Sequence, residues 1–115
     1  MPISVLMLVS IIFISAPPKP GECKDQITIT EVYGIMQERC VTCHSASPTD
    51  KINTKAPNGV MYDTPQQIKK HADKILQRAV ITKTMPQNNS TGMLPEERET
   101  LRCWIEQGAD IEEKE

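Results

Sequence analysis

The stretch from Thr28 to His44 reads TITEVYGIMQERCVTCH, and a helix can be read from its first half. Thr28-Ile29-Thr30-Glu31 has the form of a capping box. The threonine hydroxyl accepts from the third helical N–H, and the glutamate at that position reaches back to the cap. Ile29, Val32, Ile35 and Met36 then recur at helical spacing, so one narrow face is apolar and presses on a core. The helix is expected to run to about Cys40. There the apolar stripe stops and Cys40-Val41-Thr42-Cys43-His44 begins.

That pentapeptide is the spacing C-x-x-C-H, the signature of covalent haem attachment. Two thiols at the end of a helix can lie along one edge of a macrocycle and add to its vinyl groups. The next residue, His44, then turns its imidazole onto the iron from one face. Cys40 and Cys43 are therefore the expected cofactor-binding residues and His44 the expected iron ligand. Three other readings share the pair. A thioredoxin-like dithiol wants a βαβ setting, which this sequence does not offer. Structural zinc wants four ligands, and Cys23, Cys103 and His71 are scattered singles. A chance occurrence is the third.

Outward from the motif, residues 45–62 (SASPTDKINTKAPNGVMY) are rich in Ser, Thr, Pro, Asn and Gly without sustained period. This reads as a long irregular loop, of the kind a compact domain tolerates when it wraps a ligand. A second helix opens with Thr64 as cap, Pro65 at the first helical position and Gln67 at the third. Ile68, Ala72, Ile75, Leu76 and Ala79 share one face, and the helix is expected to stop between Val80 and Thr82. The polar loop TKTMPQNNSTG follows, in which Met85 is the single apolar side chain before Met93. A last helix starts at Pro95, with Glu96, Glu97 and Glu99 complementing its positive end. Leu101, Trp104 and Ile105 form its apolar face, and Gly108 ends it. No β pattern and no internal repeat competes, so the fold class is all-α.

A second axial ligand should come from a non-helical segment. Met85, stiffened by Pro86, fits best, with Met93 and Met61 as rivals that otherwise serve as adaptable core filler. His71 borders the buried stripe of the second helix and reads as a packed or solvated edge residue rather than a ligand. Cys23 and Cys103 remain after the motif is assigned. In an oxidising compartment they either bond to each other or stay two unrelated thiols. By helical spacing Cys103 lies off the main apolar stripe of the last helix.

The chain has 115 residues, a single-domain length, and few aromatic side chains: Trp104, Tyr33 and Tyr62 besides Phe13. A core so thin in aromatics usually recruits a staple or bound group. Val5 to Ile14 (VLMLVSIIFI) has the length of a signal-peptide core and is short for a membrane span. No Lys or Arg precedes it, and APPKPG offers no clean cleavage site, so an uncleaved tether is the alternative to removal. Glu22 before Cys23 argues against lipoprotein acylation. The expected division is 1–22 signal peptide or tether, 23–111 folded domain and 112–115 flexible tail. The address is periplasmic or exported, with tethering to the outer face of the inner membrane as the variant. Thirteen basic residues against fifteen acidic give a net charge of −2. The basic residues are interspersed with acidic ones, which excludes the concentrated face that nucleic acid needs.

Together, His44, the pair Met85-Pro86 and the closing run LRCWIEQGA (101–109) resemble small class I cytochromes c, over Ile27 to Ala109. The runs APNGVMYDTPQQI (56–68) and TKTMPQNNSTGM (82–93) are more narrowly similar to the cytochrome c domain at the C-terminus of bacterial membrane-bound urate hydroxylases. That family tends to place a hydroxyl cap where this chain has Leu94. The resemblance implies three main helices and long loops around one haem c, with the terminal helices crossing near it and Leu101 and Trp104 in the crossing. It also implies His44/Met85 ligation, and single-electron relay from a urate-oxidising or other dehydrogenase partner to the respiratory chain. With both axial positions filled the chain is expected to be a monomeric carrier of electrons and not an enzyme. A haem protein with an opened distal site, peroxidase-like or gas-binding, is the alternative.

Overall fold

The computed structural model describes residues 9–12, 21–23 and 25–113. Most of the expected signal segment lies outside the described residues, as do the last two residues of the expected tail. No described helix is long and apolar enough to cross a membrane. Among the described residues there are helices, turns and loops and no strand, so the chain is all-α. The helices are α1 (Ile29–Arg39), α2 (Pro65–Lys70), α3 (Ala72–Ile75) and α4 (Pro95–Glu106).

α1 begins as its sequence dictates. Thr28 Oγ1 accepts from the Glu31 N–H at 3.3 Å, and Glu31 Oε2 accepts from the Thr28 N–H at 2.9 Å. Ile29, Val32 and Met36 are buried on one face, with Ile35 half-buried beside them. The helix ends at Arg39 with Cys40 as its C-cap. α4 lies against α1 and buries Leu101 and Trp104 completely. Its cap residue, Leu94, has no side-chain acceptor, and Glu97 takes over by accepting the Leu94 N–H at 2.8 Å. After Gly108 and Ala109, both at positive φ, the chain folds back so that the Trp104 indole donates to the Asp110 carbonyl at 2.9 Å. Lys69 of α2 donates to the Ala109 carbonyl at 2.8 Å and fixes that return.

The second helix departs from the expected continuous run. It opens with the Thr64/Gln67 capping box and Pro65 at its first position, then breaks at His71, whose φ of −107° and ψ of 20° leave the helical region. It resumes as α3 and widens into a π-helical turn over Leu76–Ile81, closed by the Thr82 N–H and hydroxyl on the Gln77 carbonyl at 3.0 and 2.9 Å. Ile68, Ile75 and Ala79 stay buried across both irregularities.

Cys103 is buried, although helical spacing sets it off the Leu101–Trp104 stripe, because the N-terminal arm covers it: Cys23 and Cys103 form a disulfide with Cα atoms 5.5 Å apart. Gln107 adds to this attachment, accepting from the Ile27 N–H at 2.9 Å and donating to the Asp25 carbonyl at 2.8 Å.

Candidate functional site: the free cysteine pair and His44

Cys40 and Cys43 are the free cysteines; the other two are bonded. α1 hands directly into the motif. The Cys40 and Val41 N–H groups both bond the Met36 carbonyl, at 2.9 and 3.2 Å, and the His44 N–H bonds the Cys40 carbonyl at 2.9 Å. The motif is therefore one tight turn that extends the helix end. Cys40 lies half-buried against the core, its sulfur 3.8 Å from that of Met36. Burial pushes its thiol up to about 12, against the smaller opposing effect of the Arg98 charge. Burial and then the Asp50 charge also raise the Cys43 thiol. A redox dithiol works through a depressed thiolate pKa, so these environments oppose that reading.

His44 is the most constrained member. Its ring Nδ1 lies 2.8 Å from the Val60 carbonyl oxygen. A carbonyl only accepts, so Nδ1 carries the proton and donates. With the proton on Nδ1, it is Nε2 whose lone pair would be available to a metal. The His44 carbonyl in turn accepts from the Tyr62 N–H at 2.9 Å, and the Tyr62 ring meets the His44 ring edge-on with centroids 5.3 Å apart. Tyr62 is buried, and burial raises its phenol above the ordinary range. Gln37 Nε2 donates to the Tyr62 carbonyl at 3.4 Å and Tyr33 donates to the Asp63 carbonyl at 3.2 Å, so α1 holds the 60–63 segment that orients His44.

The loop behind the motif folds onto it. Thr49 and Asp50 N–H groups both bond the Thr42 carbonyl at 3.0 Å, and Asp50 caps its own turn by accepting from the Asn53 backbone and side chain. Those bonds hold the Asp50 carboxyl below its usual range.

No protein-family model, curated protein or solved structure matches this chain. The reading of the site rests on its own chemistry.

Met85 is half-buried in the loop after the π turn. Its N–H bonds the Arg78 carbonyl at 3.0 Å and its carbonyl accepts from Arg98 at 2.9 Å. The Met85–Pro86 peptide is cis. Of the rival methionines, Met93 is buried in the core and Met61 is half-buried beside Val60. His71 stands half-buried with its ring 6.0 Å from Tyr62, edge-on, the border position expected of it. Among the described residues no group of three or more His, Cys, Asp or Glu side chains is placed to hold a metal ion.

Cys40, Cys43 and His44 are of the residue types that a haem c would need for attachment and one axial bond: two unbonded thiols three residues apart and an imidazole whose Nδ1 bonds Val60. Met85 would offer a thioether from a loop whose backbone is held from two sides. The sequence did not single out Val60, Tyr62 or Arg98 as supports. Only Arg98 carried a signal, being a cation in the first turn of a helix, where the backbone dipole opposes it.

Proposed function

We propose that the chain is a small cytochrome c, carrying one haem c on Cys40 and Cys43 with His44 and Met85 as axial ligands, and that it transfers single electrons. The observation that carries this reading is the state of the four cysteines and His44 together. Cys23 and Cys103 are paired, Cys40 and Cys43 are free at the end of α1, and the adjacent imidazole is locked as the Nδ1–H tautomer by Val60.

A haem iron with both axial positions filled supplies a one-electron couple and no open site. The chain's own residues do the rest. Cys40 and Cys43 anchor the group against loss, and Val60 and Tyr62 hold the orientation of His44. Val41, inside the motif and packed against the core, supplies apolar surface between the two attachment cysteines. The donor for this carrier is a urate-oxidising or other dehydrogenase partner, with the respiratory chain as acceptor. Export to the periplasmic side, with the N-terminal segment either removed or kept as a tether, is the matching location.

The test is expression of the whole chain with an export and haem-attachment system, followed by acid-acetone extraction and spectra of both oxidation states. The expected outcome is haem retained by the protein and a low-spin spectrum with the weak long-wavelength ferric band of methionine ligation. Extractable or absent haem, where a control cytochrome matures, would end the cytochrome reading. Retained haem with a high-spin spectrum would point to the open-site alternative.

A further inference from the structure

Residue 98 lies outside the motif and outside the axial pair, yet its guanidinium joins three segments of chain. Arg98 Nη1 donates to the Ala79 carbonyl at 2.6 Å, at the π turn, and to the Met85 carbonyl at 2.9 Å; Nη2 reaches Asn89 Oδ1 at 3.4 Å. Asn89 Oδ1 also accepts from the Met93 N–H at 2.9 Å, so the far end of the same loop is tied to the same point. The Met85 N–H is already bound to Arg78. Both backbone polar groups of residue 85 are thus held, one from the π turn and one from α4.

We propose that Arg98 is a positioning residue for the Met85 thioether, holding the loop so that the ligand stays in place; this rests on the haem reading given above. The loop is also tied at its far end, where Thr91 donates to the Arg39 carbonyl at 2.9 Å and accepts from the Arg39 guanidinium, but at its Met85 end the packing is thin: from residue 82 to residue 94 only Met93 is buried, and Lys83, Asn88 and Asn89 adopt positive φ. Arginine suits the task because its planar fork serves several acceptors at once, where a lysine ammonium acts as a single point. A cation at this end of a helix is opposed by the helix dipole, and the loop carbonyls compensate it. The neighbouring residue completes the device. Glu97 accepts from Arg39 Nε at 3.0 Å, at the last residue of α1 before Cys40. Consecutive residues of α4 therefore grip the two segments that bear the attachment cysteines and Met85. The effect of Arg98 on the Cys40 thiol agrees with that proximity.

The experiment compares the haem-loaded whole chain with Arg98→Ala, Arg98→Lys and Arg102→Gln. The last removes an arginine of the same helix that pairs with Glu99 and Glu106 and does not reach the loop. Three readouts are taken: the long-wavelength ferric band, the midpoint potential, and imidazole affinity. Arg98→Ala should keep its covalent haem, lose the band, fall in potential and bind imidazole about tenfold or more tightly, since a released thioether competes less for the iron. Arg102→Gln should keep the band. A band, potential and imidazole affinity unchanged in Arg98→Ala would overturn the proposal even if its unfolding midpoint drops. Should the alanine variant fail to accumulate, Arg98→Lys decides by the same readouts, with tighter imidazole binding supporting the proposal and wild-type affinity overturning it. A wild-type chain without covalent haem or without the band would sink the parent reading instead, and this one with it.

Discussion

At the scale of single residues the site depends on what each side chain is prevented from doing. His44 cannot rotate without giving up the Val60 bond, and burial raises the half-buried Cys40 thiol. Met85 differs, because what holds it acts on its backbone, through Arg78 and Arg98. Met85→Ala should leave haem attached, lower the reduction potential and admit external ligands; an unchanged spectrum and potential would remove Met85 as the axial residue. His71 gives a pH dependence of known sign. Burial first, and then the Lys70 and Lys74 charges, hold its imidazole below the ordinary value of 6.5, with Asp73 acting in the other direction. The fold disfavours the charged ring, so the unfolded chain takes up the proton first as pH falls. The stabilising contribution is whole above about 6.5 and is lost as pH drops from there toward the lower folded value. Titration of the ring by NMR should place its midpoint below 6.5, and His71→Gln should flatten the dependence; a midpoint at or above 6.5 would refute this.

At the scale of elements, α1 is both a core helix and the mount of the motif, so its first turn matters to its last. Thr28→Ala removes the hydroxyl half of the capping box and should cost about 1 kcal/mol in urea unfolding, with Thr28→Ser close to neutral. Equal midpoints for Thr28→Ala and the parent would show that Glu31 alone suffices. The helix starts marked by the Thr28 and Thr64 caps and by Pro95 at a first helical position were legible because each is a local rule written in adjacent residues. The breaks at His71 and in the π turn were not. Ile68, Ile75 and Ala79 keep spacings of seven and four across them, so an apolar period cannot register a one-residue opening of the backbone. In the site, Cys40, Cys43, His44 and Met85 stood out by residue type. Val60 acts through its carbonyl, which every residue has, and Arg98 acts on carbonyls far along the chain, so side-chain pattern says little about either.

At the scale of the molecule, one bond closes most of the chain. The Cys23–Cys103 bridge spans 80 positions in sequence, a loop large enough that its loss should lower stability by about 2 to 4 kcal/mol through the freedom returned to the unfolded chain. The double variant Cys23→Ser with Cys103→Ser should still attach haem, since Cys40 and Cys43 are untouched, and should unfold at lower urea. An unchanged unfolding midpoint would mean that Gln107 and the helix crossing hold the arm without it. Neither end of the bridge belongs to the proposed haem site, so stability and chemistry can be varied separately.

The arm contacts carry a consequence for architecture. Gln107 grips residues 25 and 27, Thr30 bonds Glu113, and Cys23 is joined to α4, so the chain enters and leaves its folded body at one corner. Entry and exit at one corner leave the opposite faces of the described body clear of both chain ends. Such a module can be fused at either end, or spliced into a loop of a larger host, without stretching its interior.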